Sequence, residues 1–172
     1  MAGSLIKIDE ETVSSAVASV ILTGIDSTYD VYLLTLNNVS PATLDADVYL
    51  RVTESGTASS DSDYDIAYKL LRTDTTFSNI NNTNQAQWGL SGSLENEAGK
   101  TFNGHCYIFN ANNSSEYTFV TMENAYMADD GTFLGTQGGG VYTQTTTVDG
   151  VSISFDTGNI DAGTFTLYGL RK

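Results

Sequence analysis

The sequence holds one proline, one cysteine and one histidine in 172 residues, and each scarcity removes a class of reading. A lone thiol, Cys106, cannot close a disulfide within the chain, so nothing in the sequence calls for an oxidising compartment. A lone imidazole, His105, leaves no second histidine for a nucleophilic triad. Its neighbour Cys106 is expected on the opposite face of a strand, out of its reach. Zinc, which needs four clustered ligands or three and a water, is excluded by the same shortage. Basic residues are also scarce: 7 Lys and Arg stand against 21 Asp and Glu, for a net charge of −14. Phosphate backbones are held by clustered cations, so nucleic acid is not an expected partner. No apolar run approaches the roughly 20 residues that cross a bilayer. The stretch "VASVILTG" is short and follows the acidic "IDEET", the wrong flank for a signal peptide. The expectation is a protein made in the cytoplasm, with no membrane partner.

What is present is strand chemistry. Apolar residues make up 40% of the chain and charged ones 16%, with 16 Gly and 10 Tyr. Thr, Ser and Asn are abundant, which favours strands and turns over helices. About ten blocks alternate with period 2 between turn residues. In "DVYLRVT", Val48, Leu50 and Val52 face one way and Tyr49 and Arg51 the other. In "YDIAYKLL", Tyr64, Ile66, Tyr68 and Leu70 oppose Asp65 and Lys69. The doubled apolar residues of "YDVYLLTLNNV" predict a strand buried on both faces near the middle of a sheet. Further blocks fall at Val17 to Leu22, around Trp88, and at "HCYIFN", "YTFVTMENAYM", "GVYTQTTTV", "GVSISF" and "GTFTLYGL". Only "KIDEETVSSAVAS" has room for a short helix, capped by Asp9 or Thr12. Ten short strands joined by long connections predict an all-β, two-sheet sandwich of the jelly-roll or immunoglobulin-like kind. The last strand is expected inside a sheet, with Phe165 and Leu167 in the core and Tyr168 at its margin.

The predicted organisation is an N-terminal arm, residues 1–12, followed by one sandwich domain, residues 13–172. Within Ala2 to Glu11, Leu5, Ile6 and Ile8 mix with charge and read either as a docking arm or as an edge strand. Two polar stretches, "ESGTASSDSDYD" and "RTDTTFSNINNTNQAQ", are expected to protrude as loops. Asp61, Asp63 and Asp65 alternate as calcium ligands can, but the run lacks the glycine and closing Glu of a calcium loop, so a solvated acidic loop is expected. Among 21 acids, no pair stands out for glycoside hydrolysis. The sequons at Asn38, Asn81, Asn112 and Asn113 are read as products of an Asn- and Ser-rich composition. No catalytic residue and no cofactor is expected. Aromatics at Tyr49, Tyr68, Trp88, Tyr107 and Phe109 are expected to divide between the core and subunit contacts, with Tyr49, Tyr68, Trp88 and Tyr107 the candidate contact residues.

The stretch "YDVYLLTLNNVSPAT", then "DVYLRVTESG" with "YDIAYK" after it, and the ending "GNIDAGTFTLYGLRK" together resemble a family of small virion proteins of tailed phages, especially those of marine and cyanobacterial hosts. The resemblance spans nearly the whole chain and rests on strand sequences rather than on catalytic residues. It implies a jelly-roll-like structural subunit present in many copies on a capsid or tail, assembled in the bacterial cytoplasm. The function expected is that of a capsid decoration or other assembly subunit. Its partners would be copies of itself, as a trimer, and a major capsid or tail protein. The alternative is a tail- or fibre-associated recognition module that binds host glycans.

Overall fold

The computed structural model describes residues 4–171, and every element in it is a strand. In chain order these are β1 (Leu5–Val13), β2 (Ser19–Thr23), β3 (Val31–Pro41), β4 (Val48–Glu54), β5 (Thr57–Ala58), β6 (Tyr64–Arg72) and β7 (Ser78–Gln85). They continue with β8 (Trp88–Gly89), β9 (Phe102–Phe109), β10 (Thr118–Met127), β11 (Phe133–Tyr142), β12 (Gly150–Phe155) and β13 (Ile160–Leu170). Eight form one sheet in the order β1-β13-β3-β9-β10-β11-β6-β7, and five form a second, β2-β12-β4-β5 with β8 also on β4. The pairings are antiparallel. The expected two-sheet sandwich is therefore the observed architecture. A jelly roll is eight strands in two Greek keys, and an order of eight plus five does not establish that connectivity.

Alternation decides which residues lie between the sheets. From the smaller sheet come Val48, Leu50 and Val52 of β4 and Val151 and Ile153 of β12, all essentially inaccessible. From the larger come Tyr32, Leu34 and Leu36 of β3, Phe102, Cys106 and Ile108 of β9, and Phe165 and Leu167 of β13. β13 pairs with β1 on one side and β3 on the other, which ties down the end of the chain by filling the sheet's interior. β3 is likewise central, and its doubled apolar residues Leu33 and Leu34 are both buried.

An aromatic cluster joins the two layers. Trp88 packs edge-on to Tyr64, with ring centroids 4.9 Å apart, and Tyr64 in turn lies 4.8 Å from Tyr142. The Trp88 indole N–H donates to the Asp65 carbonyl at 3.2 Å. The Tyr64 hydroxyl accepts from the Val52 amide at 3.2 Å and donates to the Ser59 carbonyl at 3.1 Å, crossing from β6 to the facing sheet. Residue 140 must be glycine for this to pack, since a Cβ there would stand 2.6 Å from the Trp88 indole nitrogen.

Several expectations are corrected. Leu5–Val13 does not start a helix but takes the edge-strand alternative, as β1; its apolar positions and the β-branched Thr12 and Val13 suit a strand, and Val13 enters the core. Ala2, at the start of the expected arm, lies outside the described residues. The stretch expected as a second protruding loop contains β7, the hairpin partner of β6. The first stretch is pinned by β5 and by the Ser59 amide on the Val52 carbonyl. β11 begins at Phe133, seven residues before the block expected there, and runs through Gly138, Gly139 and Gly140.

Candidate functional site

The outer face of the larger sheet carries the residues that alternation excludes from the core. Cross-strand register sets Val31, Phe109, Phe119 and Val141 side by side on β3, β9, β10 and β11. Directly opposed residues point to the same face of a sheet, so these four form one apolar row across four strands. Phe119 is 45% exposed, and Tyr117, two positions earlier and in the same phase, is 43% exposed. The next row is Leu33, Tyr107, Thr121 and Gly139. The Tyr107 ring lies 6.5 Å from Phe109 and meets His105 edge-on at 5.6 Å.

A polar row follows: Thr35, His105, Glu123 and Gln137, in register across the same four strands. The Gln137 amide donates to the Glu123 carboxylate at 2.7 Å. This face thus passes from apolar to polar along the strands. His105 sits on it in partial exposure, while the adjacent Cys106 points inward and is fully buried. Burial pushes the Cys106 thiol up to about 12, far from the thiolate a nucleophile needs.

A second region lies where the larger sheet overhangs the smaller one. Asp47, Tyr49, Tyr68 and Ser91 line a cleft of about 140 Å³ between β4 with β8 and β6 with β7. A space of about 290 Å³ shares Asp47, Tyr68 and Ser91 and runs on towards Tyr126. Tyr49 lies over Gly89, its partner on β8. Tyr68 stands between Ile80 of β7 and Gly138 of β11. The Asp47 carboxylate accepts the Ser93 amide at 2.6 Å through Oδ1. Burial raises its pKa above the ordinary 3.8, against that hydrogen bond, and nearby Asp156 and Asp45 add to the rise.

The four expected contact aromatics therefore separate. Tyr49 and Tyr68 meet at the cleft, Tyr107 stands on the outer face, and Trp88 is wholly buried. Trp88 is corrected from a contact residue to a core residue, because β8 turns it inward opposite Leu50. Of the expected arm residues, Leu5 is 51% exposed, whereas Ile6 and Ile8 are half-buried and Ile8 packs on the core. Among the described residues no three His, Cys, Asp or Glu gather as a metal site would require; the Asp65 carboxylate accepts the Asn84 amide, while at Asp63 it is the backbone carbonyl that accepts, from the Thr143 hydroxyl.

Sequence reasoning left out Phe119, Val31, Val141 and Asp47. The first was legible, since Phe119, Thr121 and Glu123 occupy the phase opposite Val120 and Met122. The alignment of Phe119 with Val31 and Val141 is a matter of register between distant strands. Asp47 gave no signal, as apart from Asp45 and Tyr49 its surroundings come from residues about twenty or more positions away.

Comparison of the chain with protein-family models, with curated proteins and with solved structures gives no match.

Proposed function

We propose that this protein is a non-enzymatic structural subunit of a tailed-phage virion, a capsid decoration or related assembly subunit, that works by protein–protein contact. The observation that carries the reading is the apolar row of Val31, Phe109, Phe119 and Val141 on the outer face, extended by Tyr107 and Tyr117, in which Phe119 and Tyr117 are exposed and the others half-buried. The larger sheet's inner face already supplies its half of the core, so the row has no folding role. Contiguous exposed apolar surface on a folded domain marks an interaction site. A stable contact needs about 800 Å² per partner, an area to which a row four strands wide with its flanking aromatics contributes a central apolar patch. Small interfaces repeated on a particle add through avidity.

In this reading the row meets another copy of the chain in a trimer, and the trimer docks on a major capsid or tail protein during assembly in the bacterial cytoplasm. The resemblance of the strand sequences to small virion proteins supports the setting. The test is a count of this chain in purified particles by quantitative mass spectrometry. Hundreds of copies per particle are expected. A handful would favour the tail or fibre recognition role, and absence from particles would overturn the proposal.

A further inference from the structure

The Asp47 cleft has a chemistry that the outer face does not explain. Asp47 is half-buried, and none of the ion pairs among the described residues includes it. Its Oδ1 accepts one backbone amide, and among the described residues its Oδ2 has no hydrogen-bond partner. The Tyr68 hydroxyl, which lines the same cleft, likewise has no hydrogen-bond partner among the described residues. Asp47, Tyr49 and Tyr68 line the same cleft, and the Asp47 charge adds to burial in raising both tyrosine hydroxyl pKa values. A desolvated carboxylate is costly unless it is paired, and the cleft beside Asp47 has room for a group that would pair it.

We propose that this cleft binds an alkylammonium or guanidinium group, with Asp47 as the counter-ion, the Tyr68 hydroxyl as an acceptor and the rings of Tyr49 and Tyr68 flanking the cation. The shape fits one side chain rather than a large ligand, at about 140 Å³ for the inner part. Aromatic rings attract a cation more strongly when it is shielded from water, and a half-buried cleft provides that shielding. The one basic group in the adjoining space, Arg72, is already held by a two-point ion pair with Asp74, at 2.7 and 2.8 Å, so it is not available to Asp47. An anionic ligand is disfavoured by Asp47 itself and by Asp129 and Asp130 along the same space. The chemistry suits either a free diamine or a Lys or Arg side chain of a neighbouring protein. The inference does not depend on the assembly reading, because it concerns a different surface.

The experiment is an NMR titration of the full chain with 1,4-diaminobutane, N-acetyl-lysine methylamide and N-acetyl-arginine methylamide, following the amides of Ser91, Gly92 and Ser93 and the carboxyl carbon of Asp47. Saturable shifts confined to the cleft are expected, with the Asp47 titration moving to lower pH at saturating ligand. Binding should weaken at least tenfold in Asp47→Asn and severalfold in Tyr68→Leu, both checked for folding by thermal melting. The Asp47 titration in the unmodified chain gives an answer even if a variant fails to fold. Preference for the capped amino acids identifies a protein side chain as the occupant, and preference for the diamine a free amine. Absence of saturable shifts, an unmoved Asp47 titration, or equal binding by folded Asp47→Asn would overturn the proposal.

Discussion

The two faces of β9, β10 and β11 are made by the same strands and obey opposite rules. On the inner face, Phe102, Cys106, Ile108, Val120, Met122 and Tyr142 are buried against the second sheet. On the outer face, His105, Tyr107, Phe109, Phe119, Glu123 and Gln137 meet solvent to varying degrees. Both faces are rich in aromatics, so composition does not tell them apart; what differs is whether a second layer lies over them. An inner aromatic is fixed by its neighbours, as Trp88 is by Tyr64, Gly140 and the Asp65 carbonyl. An outer aromatic such as Tyr107 touches neighbours on its own face, His105 and Phe109, but has no second layer over it.

Substitutions that cross this divide should separate cleanly. The largest effect is expected from removing β1 by deleting residues 2–13, which strips the edge from β13 and uncovers the flank of Phe165 and Leu167. Loss of soluble folded protein is the expected outcome, and full recovery of a folded chain would restore the reading of this segment as an arm. Trp88→Ala should cost about 3–5 kcal/mol, the range for emptying a buried large aromatic site, measured by denaturant unfolding. A cost under 1 kcal/mol would place Trp88 outside the core.

Smaller effects are expected on solvent-facing residues. Phe109→Ser with Phe119→Ser should change folding stability by no more than about 1 kcal/mol, because surface substitutions free of special contacts seldom do more. Asp47→Asn tests the cleft through pH. Burial raises the Asp47 pKa in the folded state, so the folded chain holds this proton more tightly than the unfolded one. The stability contributed by protonation is complete below the unfolded value near 3.8 and is lost as pH rises through the folded value. Asp47→Asn should therefore melt at or above the unmodified chain at pH 7, with the difference shrinking as pH falls through the raised folded value and gone below about 3.8. A variant that melts lower at pH 7 and gains at low pH would reverse the assignment. The smallest effect is expected from chelation. A bound ion at one hundred times its dissociation constant contributes about 2.7 kcal/mol, and a chelator should leave melting unchanged if Asp61, Asp63 and Asp65 hold none.

Much of this was legible where alternation is strict. "DVYLRVT" assigned Val48, Leu50 and Val52 to the core and Tyr49 and Arg51 to the other face, as the structure has them. The closing "GTFTLYGL" correctly placed Phe165 and Leu167. Where side chains do not alternate in hydrophobicity, pairing alone makes the strand. β7 reads "SNINNTNQ" and is held by its ladder with β6, while β1 carries Asp9, Glu10 and Glu11 in succession and a register shift between Lys7 and Asp9. In β11 the glycines erase the pattern because Trp88 and neighbouring backbone occupy the space of their side chains. Trp88 was misplaced although Ala86, Trp88 and Leu90 alternate: the phase alone does not say which face is covered, and the structure buries both Trp88 and Leu90. The apolar row and the Asp47 cleft both depend on register between distant strands, which local pattern does not encode.

The most direct test of the central claim is sedimentation velocity across a concentration series, comparing the unmodified chain with Phe109→Ser combined with Phe119→Ser. The account predicts a trimer for the first and a folded monomer for the second, with closely similar melting. An unmodified chain that sediments as a monomer throughout, or a double variant that assembles as well as the original, would contradict it.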